Sequence, residues 1–269
     1  MKASSASEVA LARLLMGFLR SFAVIKKVPV IGSLLRKLGR VILPPATRVW
    51  VRIQRGPAAG LWLNINPRAG ADLYRGGRER LVQETLAEHL KPGMVFYDLG
   101  ANLGLFTIIG ARRVGPEGKV FAFEPDPDVC NRLRQNVSRN GFSNVEVVQG
   151  AVYSTTGSSD FVRADPKITP DLGLGRIDRT SQLFGSIRIR TVALNDFVRD
   201  ARLPDVIKCD VEGAEVDVFE GAGLLLERQR PAILCEVHSE SNSRRITELL
   251  THNGYTLRWL DESHFLALG

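Results

Sequence analysis

From residue 79 onward, short apolar runs alternate with segments whose apolar residues recur every three to four positions. The runs at 94–100 (MVFYDLG), 119–125 (KVFAFEP), 144–150 (NVEVVQG), 205–213 (DVIKCDVEG) and 231–239 (PAILCEVHS) read as strands. Helical spacing falls at 79–90, 103–113, 127–139, 193–201, 214–228 and 244–254. Strands separated by helices of this length predict an α/β fold with a doubly wound, mostly parallel sheet covered on both faces. The last segment, 255–269, reads as an antiparallel hairpin at or near the sheet edge. Upstream, 46–66 reads as two β segments around a Gly-Pro-rich turn. Residues 160–192 carry no clear period and predict a loop or hairpin excursion.

The first 45 residues form a different pattern. Leu11, Leu15, Phe18, Phe22 and Ile25 are spaced 4, 3, 4 and 3 apart and share one helix face, with Arg13, Arg20 and Lys27 opposite. A second apolar and basic segment, 31–43, ends at Pro44-Pro45. Two domains are therefore expected: a basic amphipathic helical arm (1–45) and an α/β body (46–269). The arm suits either an anionic membrane surface, with peripheral contact through residues 8–43, or packing on the body or a second subunit. No apolar stretch is long enough for a conventional span, and the charges at 13 and 20 interrupt any signal-peptide core.

Composition sharpens this picture at two points. The net charge of +7 belongs to the arm: residues 1–48 hold nine Lys/Arg against Glu8, leaving 27 basic and 28 acidic residues in the remainder. A near-neutral body argues against nucleic acid as partner. The three cysteines, Cys130, Cys209 and Cys235, form no CxxC pair; Cys209 and Cys235, in apolar runs, read as small buried residues of a protein in a reducing compartment. A cytoplasmic location is expected, peripheral on the inner face of the membrane if the arm is interfacial.

The candidate chemistry begins at Asp98-Leu99-Gly100-Ala101-Asn102-Leu103-Gly104, where a buried run ends in an acid and glycines open a turn into a helix. Gly100 permits close backbone approach, and the helix beyond offers free N–H groups. A dinucleotide site would use G-x-G-x-x-G; here the spacing is Gly100-x-x-x-Gly104, with Asp98 ahead. An acid there repels a pyrophosphate and suits a cationic amino-acid head, which points to S-adenosylmethionine. Glu124, at the tip of the second strand, is placed to accept hydrogen bonds from two ribose hydroxyls.

The segment Ile207-Lys208-Cys209-Asp210-Val211-Glu212-Gly213-Ala214-Glu215 closely resembles the K-x-D-x-E-G-x-E stretch of FkbM-family methyltransferases. Asp98 to Asn102 is similar to that family's D-x-G-A-N turn, and Tyr74 to Glu79 to its upstream segment ending in glutamate. Leu194-Asn195-Asp196-Phe197 is similar to its L-D-D step, with Asn195 replacing an acid. Pro231 to His238 resembles its fifth strand ending in E-x-H. The resemblance spans about 50–269. It implies a class I (Rossmann-like) methyltransferase fold, S-adenosylmethionine as cofactor, and O-methylation of a hydroxyl on a sugar, glycolipid or natural-product acceptor.

Ligands of open α/β sheets sit beyond the carboxyl ends of the strands, where Asp98, Glu124, Asp210 and His238 all fall. Asp98, Gly100, Asn102 and Gly104 are assigned to the methionine half of the cofactor. Glu124 takes the ribose. Gln149, Gly150 and Ala151 flank the adenine, and Asp210 contributes to both cofactor and chemistry. Candidates for positioning the acceptor hydroxyl and removing its proton are Asp210, Glu212 and His238. Asp210 and Glu212 could also hold a cation, but two carboxylates are a thin basis, and no metal is expected. Glu215 reads as a helix cap, Lys208 as an outward residue pairing with a carboxylate, and Glu236 as facing either way. His89, His252 and His264 read as solvent-facing. Trp50, Trp62 and Trp259 read as core. Two other functions compete. An RNA methyltransferase predicts a basic body and an Asn/Asp-Pro-Pro-aromatic motif, where Asp210-Val211-Glu212-Gly213 stands instead. A non-catalytic membrane-associated binding protein would tolerate loss of Asp98, Glu124 or Asp210.

Overall fold

The computed structural model describes residues 47–67, 71–163, 176–178 and 186–269. The basic arm, with its expected membrane face, lies outside the described residues. The chain divides into two compact units, 1–78 with 164–172, and 79–163 with 173–269. In the first unit, β1 (Val49–Arg52) and β2 (Trp62–Ile65) form an antiparallel hairpin, followed by the short helix α1 (Ala71–Arg75). Its inward residues Val51, Leu63 and Ile65 are buried.

The second unit holds the expected sheet. Its strands are β3 (Val95–Leu99), β4 (Lys119–Glu124), β5 (Val145–Gln149), β10 (Val206–Cys209), β11 (Ala232–Glu236), β12 (Thr256–Trp259) and β13 (His264–Leu268). They lie in the order β12-β13-β11-β10-β3-β4-β5, all running the same way except β13, which pairs antiparallel with both β11 and β12. The sheet is connected by α2 (Arg80–His89), α3 (Leu105–Val114), α4 (Pro127–Arg139), α6 (Glu215–Glu220), α7 (Gly223–Arg228) and α8 (Glu240–His252). Every position of β3 and β10 is buried, so helices cover both faces there. The chain runs from β3 outward through β4 to β5 and returns to β10 on the other side of β3. That reversal opens a crevice at the carboxyl ends of β3 and β10.

Tyr97, Phe121, Phe123 and Phe197 pack edge-on beneath this edge, with ring centroids 4.9–5.9 Å apart. Asp126 caps α4 by accepting the N–H groups of Asp128 and Val129, so the chain leaves β4 directly into a helix.

Three local expectations need correction. The 160–192 region contributes to a separate sheet of β6 (Ala151–Val152), β7 (Gly157–Val162), β8 (Arg176–Asp178) and β9 (Ser186–Val192), ordered β6-β9-β7-β8. The helix expected over 193–201 is the single turn α5 (Leu194–Phe197). The helix expected over 214–228 is broken between α6 and α7. Asn195 intrudes at the break, donating its N–H to the Gly221 carbonyl (2.9 Å) and accepting the Leu225 N–H on Oδ1 (3.1 Å).

Among the described residues no helix is long and apolar enough to cross a membrane. The three cysteines are free and buried, Cys209 and Cys235 as expected and Cys130 with them.

Candidate active site

At the end of β3 the backbone turns through Gly100 (φ 77), Asn102 (φ 51) and Gly104 (φ 88), all left-handed. A Cβ on Gly100 would stand 1.8 Å from the Asp210 carbonyl oxygen, so this turn and the end of β10 touch through backbone alone. Gly104 has a different constraint. Its missing Cβ would meet Leu133 Cδ1 at 2.3 Å, so its role here is to let α3 and α4 pack. Asp98, assigned from sequence to the same turn, is wholly buried. Its Oδ2 accepts the Thr107 hydroxyl at 2.5 Å, and its Oδ1 accepts no hydrogen bond from the described residues. Burial pushes its carboxyl above the ordinary range, and Lys208 and Thr107 partly offset this.

Glu124 ends β4 and is 5% exposed. Its two oxygens accept the N–H groups of Asn102 and Asp126, each at 2.9 Å. Burial pushes its carboxyl up to about 8 in spite of those two donors. Glu124 forms one wall of a cleft of about 560 Å³, solvent-open space included. Of the sequence-assigned residues, Gly100, Asn102, Glu124, Gly150, Ala151, Asp210 and Glu212 line it. The rest of the lining includes Phe123, Pro125, Val152, Phe161, Val211 and Ala214, which the sequence reading did not select. Phe161 belongs to β7, inside the segment read as irregular. Arg163 then ties that strand to the cleft wall by bonding Asp126 through Nε (2.7 Å) and Nη2 (2.9 Å).

Beyond β10, the chain makes a turn with Glu212 (φ 53) and Gly213 (φ 100) both left-handed. For a glutamate this conformation is strained and is held by its surroundings. His238, just past β11, comes to the same point. Its Nε2 lies 3.4 Å from Glu212 Oε2, 3.7 Å from Asp210 Oδ1 and 3.9 Å from Glu236 Oε1. Asp210, Glu212 and His238 are thus brought together as the sequence predicted. Burial raises the Glu212 carboxyl to about 7, with His238 opposing and Asp210 reinforcing the rise.

Glu215 corrects an expectation. It is wholly buried at the start of α6, and its Oε1 accepts the Gly213 N–H (2.8 Å) and His238 Nδ1 (2.6 Å), while Asn242 donates to Oε2 (2.7 Å). Burial alone would raise its carboxyl, but these three partners hold it below the ordinary value. An ionised Glu215 fixes the proton on Nδ1 and leaves Nε2 facing the other carboxylates. The bond to Glu215 outweighs burial and raises the imidazole to about 9.

Three further expectations change. Lys208 does not point outward: it is 4% exposed, bonds Asp210 Oδ2 at 3.1 Å and lies 4.5 Å from the Phe106 ring centroid. Burial would lower its ammonium, yet Asp210 and Asp98 hold it above the ordinary value. His264 is buried rather than solvent-facing, with Nδ1 against Asp261 (2.9 Å) and Nε2 3.3 Å from Glu236 Oε2. Trp259, expected in the core, is 42% exposed on the edge strand β12.

Comparison with known proteins follows the same residues. The family model described as Methyltransferase FkbM domain matches residues 98–257. The hexuronic acid methyltransferase AglP of Haloferax volcanii is 27% identical over 175 residues, 64% of this chain and 68% of its own. The 2-O-methyltransferase NoeI of Sinorhizobium fredii is 30% identical over 156 residues, 52% of this chain and 62% of its own. A solved FkbM methyltransferase from Methylobacillus flagellatus matches 74% of this chain and 60% of its own, at 16% identity and a TM-score of 0.48.

Proposed function

Because this chain belongs to the FkbM methyltransferase family, with S-adenosylmethionine as its methyl donor, we propose that it methylates a hydroxyl of a sugar or sugar-bearing acceptor. The observation that carries this reading is the convergence of Asp210, Glu212 and His238 beside the cleft. Such a group suits an oxygen that must lose a proton. The names of the relatives from Haloferax volcanii and Sinorhizobium fredii, a hexuronic acid methyltransferase and a 2-O-methyltransferase, support the same acceptor class.

The residues fit the donor. Gly100 lets backbone line the cleft without a side chain, Asp98 Oδ1 is a buried acceptor awaiting a donor, and Glu124 presents a carboxylate with lone pairs to spare. Asp98, Gly100 and Asn102 would hold the methionine end, with Gly104 shaping the turn. Glu124 would take the ribose, and Gly150, Ala151, Val152 and Phe161 the adenine. When bound, S-adenosylmethionine supplies a methyl group on a sulfonium sulfur, ready for in-line displacement. The chain's own task is to hold the acceptor oxygen in line and accept its proton. Asp210, Glu212 and His238 perform it together: a carboxylate accepts the proton, and His238, whose imidazole is raised to about 9, orders the carboxylates around the acceptor oxygen. Glu215 keeps the imidazole in one tautomer and orientation.

The ribose assignment predicts a pH dependence. Two hydroxyl donors favour the ionised Glu124, whose carboxyl is raised by burial to about 8. Below that pH, binding must expel a proton, so affinity rises with pH by up to about tenfold per unit and levels off once Glu124 is already ionised. Calorimetry in buffers of different ionisation enthalpy is expected to find about one proton released near pH 6 and none well above 8. Glu124→Gln is expected to remove this exchange and weaken binding. Unchanged proton release in that variant would take the ribose away from Glu124.

We extend the proposal to the arm: residues 8–43 hold the protein against an anionic membrane, where a lipid-linked acceptor would be found. Deletion of residues 1–44 is expected to leave S-adenosylmethionine affinity unchanged and to abolish co-sedimentation with phosphatidylserine vesicles. Equal sedimentation of the two proteins would remove the membrane role.

A further inference from the structure

Around His238, each of three donors has one atom anchored from outside and one atom turned toward a common point. Asp210 gives Oδ2 to the buried Lys208 and leaves Oδ1 inward. Glu236 has Oε2 3.3 Å from Nε2 of the buried His264, itself held by Asp261, and leaves Oε1 inward. His238 gives Nδ1 to the buried Glu215, itself held by Asn242 and the Gly213 N–H, and leaves Nε2 inward. One ligand atom from each of the three residues lies within 4.8 Å of the other two.

Nε2 shows the contrast most clearly. Its partner ring nitrogen makes a hydrogen bond of 2.6 Å, whereas Nε2 stands 3.4 Å from Glu212 Oε2 and 3.7 and 3.9 Å from the inward oxygens of Asp210 and Glu236. These gaps are long for hydrogen bonds. They match the separation of two donors on one ion: atoms about 2.1–2.3 Å from a cation and ~110–130° apart stand ~3.4–4.2 Å from each other. A carboxylate on the far nitrogen of an imidazole is the usual outer partner of a metal-binding histidine.

We propose that Asp210, Glu236 and His238 form a divalent-cation site at the carboxyl edge of the sheet. Lys208, His264 and Glu215 act as the outer partners that orient its ligands. Sequence spacing offered only Asp210 and Glu212 for such a site; the fold adds Glu236 and His238 from the neighbouring strand. The mixed imidazole and carboxylate set at these separations suits a divalent ion of low coordination number, for which Mn²⁺ serves as the paramagnetic probe.

Resting on the O-methyltransferase reading, the cation would receive the acceptor hydroxyl and make it more acidic. The O–H bond breaks and its proton passes to Glu212. The freed oxygen pair forms the bond to the methyl carbon, and the sulfur keeps the pair of the broken S–CH₃ bond.

The test uses Mn²⁺ with the full chain after chelator treatment, free ion being read from its electron paramagnetic resonance signal. One saturable ion per chain is expected. Glu215→Gln leaves all three ligands in place while altering the bond to Nδ1, and is expected to weaken the ion by about 10- to 100-fold. Glu236→Gln and His238→Gln are expected to weaken it at least as much, and exchange of the exposed Glu262 for Gln to leave it unchanged. A second measurement needs no variant: Mn²⁺ is expected to broaden the imidazole resonances of His238 and His264 and spare the exposed His252. Absence of saturable binding, affinity unchanged in Glu236→Gln and His238→Gln, or equal broadening at His252 would overturn the site. Calorimetry with S-adenosylmethionine, run separately, is expected to find its binding intact in Glu236→Gln. Failure of the wild-type chain to bind it would sink the transferase reading and leave the cation result standing.

Discussion

Gly100→Ala is expected to weaken S-adenosylmethionine binding by about 10²-fold. The new methyl group would lie 1.8 Å from the Asp210 carbonyl oxygen and 2.8 Å from its carbon, with φ at 77. Backbone cannot rotate away as a flexible side chain can, so the turn or the end of β10 must move by more than an ångström. Either movement displaces the cleft wall, because Gly100 and Asp210 both line it. A misplacement of ~1 Å at a reacting centre is worth about 10²-fold in rate, and a comparable loss is expected in affinity here. The left-handed φ adds destabilisation of more than about 1 kcal/mol, visible as a lowered Tm. Gly104→Ala is the instructive comparison. Its new methyl group would press on the far end of the Leu133 side chain, so the left-handed φ and α3–α4 packing are affected more than the ligand. Calorimetry and thermal melts of the two variants separate the cases. Normal cofactor affinity in Gly100→Ala would mean that the turn does not shape the cofactor site.

The second large effect is on turnover. His238→Ala is expected to slow methyl transfer by about 10²–10⁴-fold, the scale of loss when the group that prepares the acceptor hydroxyl for proton loss is disrupted. Cofactor affinity should stay close to wild type, since His238 is not among the residues lining the cleft. The variant is also expected to fold. Glu215 would lose one partner but keep the Gly213 N–H and Asn242, so no buried carboxylate is abandoned. Transfer of labelled methyl groups, compared with calorimetric affinity on the same preparations, reads both quantities. Wild-type turnover in His238→Ala would remove His238 from the chemistry.

Much of this site was legible in the sequence because strand ends are. Asp98, Glu124 and Asp210 each close a buried apolar run, and parallel pairing brings such ends to one edge. The glycine spacing at 100–104 identified the turn, although only the fold separates Gly100, which meets backbone, from Gly104, which meets a side chain.

What stayed hidden depends on long-range contacts. Glu215 opens a helix, and its acid matches a cap by local rules; only the return of the chain through β11 delivers His238 to it. His264 sits in a hairpin that local rules leave in solvent, but β13 pairs with β11 in a register that sets His264 opposite Glu236. Lys208 could not be read as buried without knowing that Asp210 and Asp98 lie near it. In β9, the alternation Ile187-Arg188-Ile189-Arg190 was a readable strand signal, masked by the glycines and prolines upstream. Asn195, noted as departing from the family's acid, breaks the helix run at Gly221, a consequence that needs the fold to appear.

Methyl-tritiated S-adenosylmethionine, incubated with the purified full-length protein and cell extract separated into lipid, polysaccharide, protein and RNA fractions, tests the central claim most directly. The account predicts label in the lipid or polysaccharide fraction, recovered after acid hydrolysis as an O-methyl sugar. Label confined to RNA or protein, or recovered on nitrogen, would contradict it.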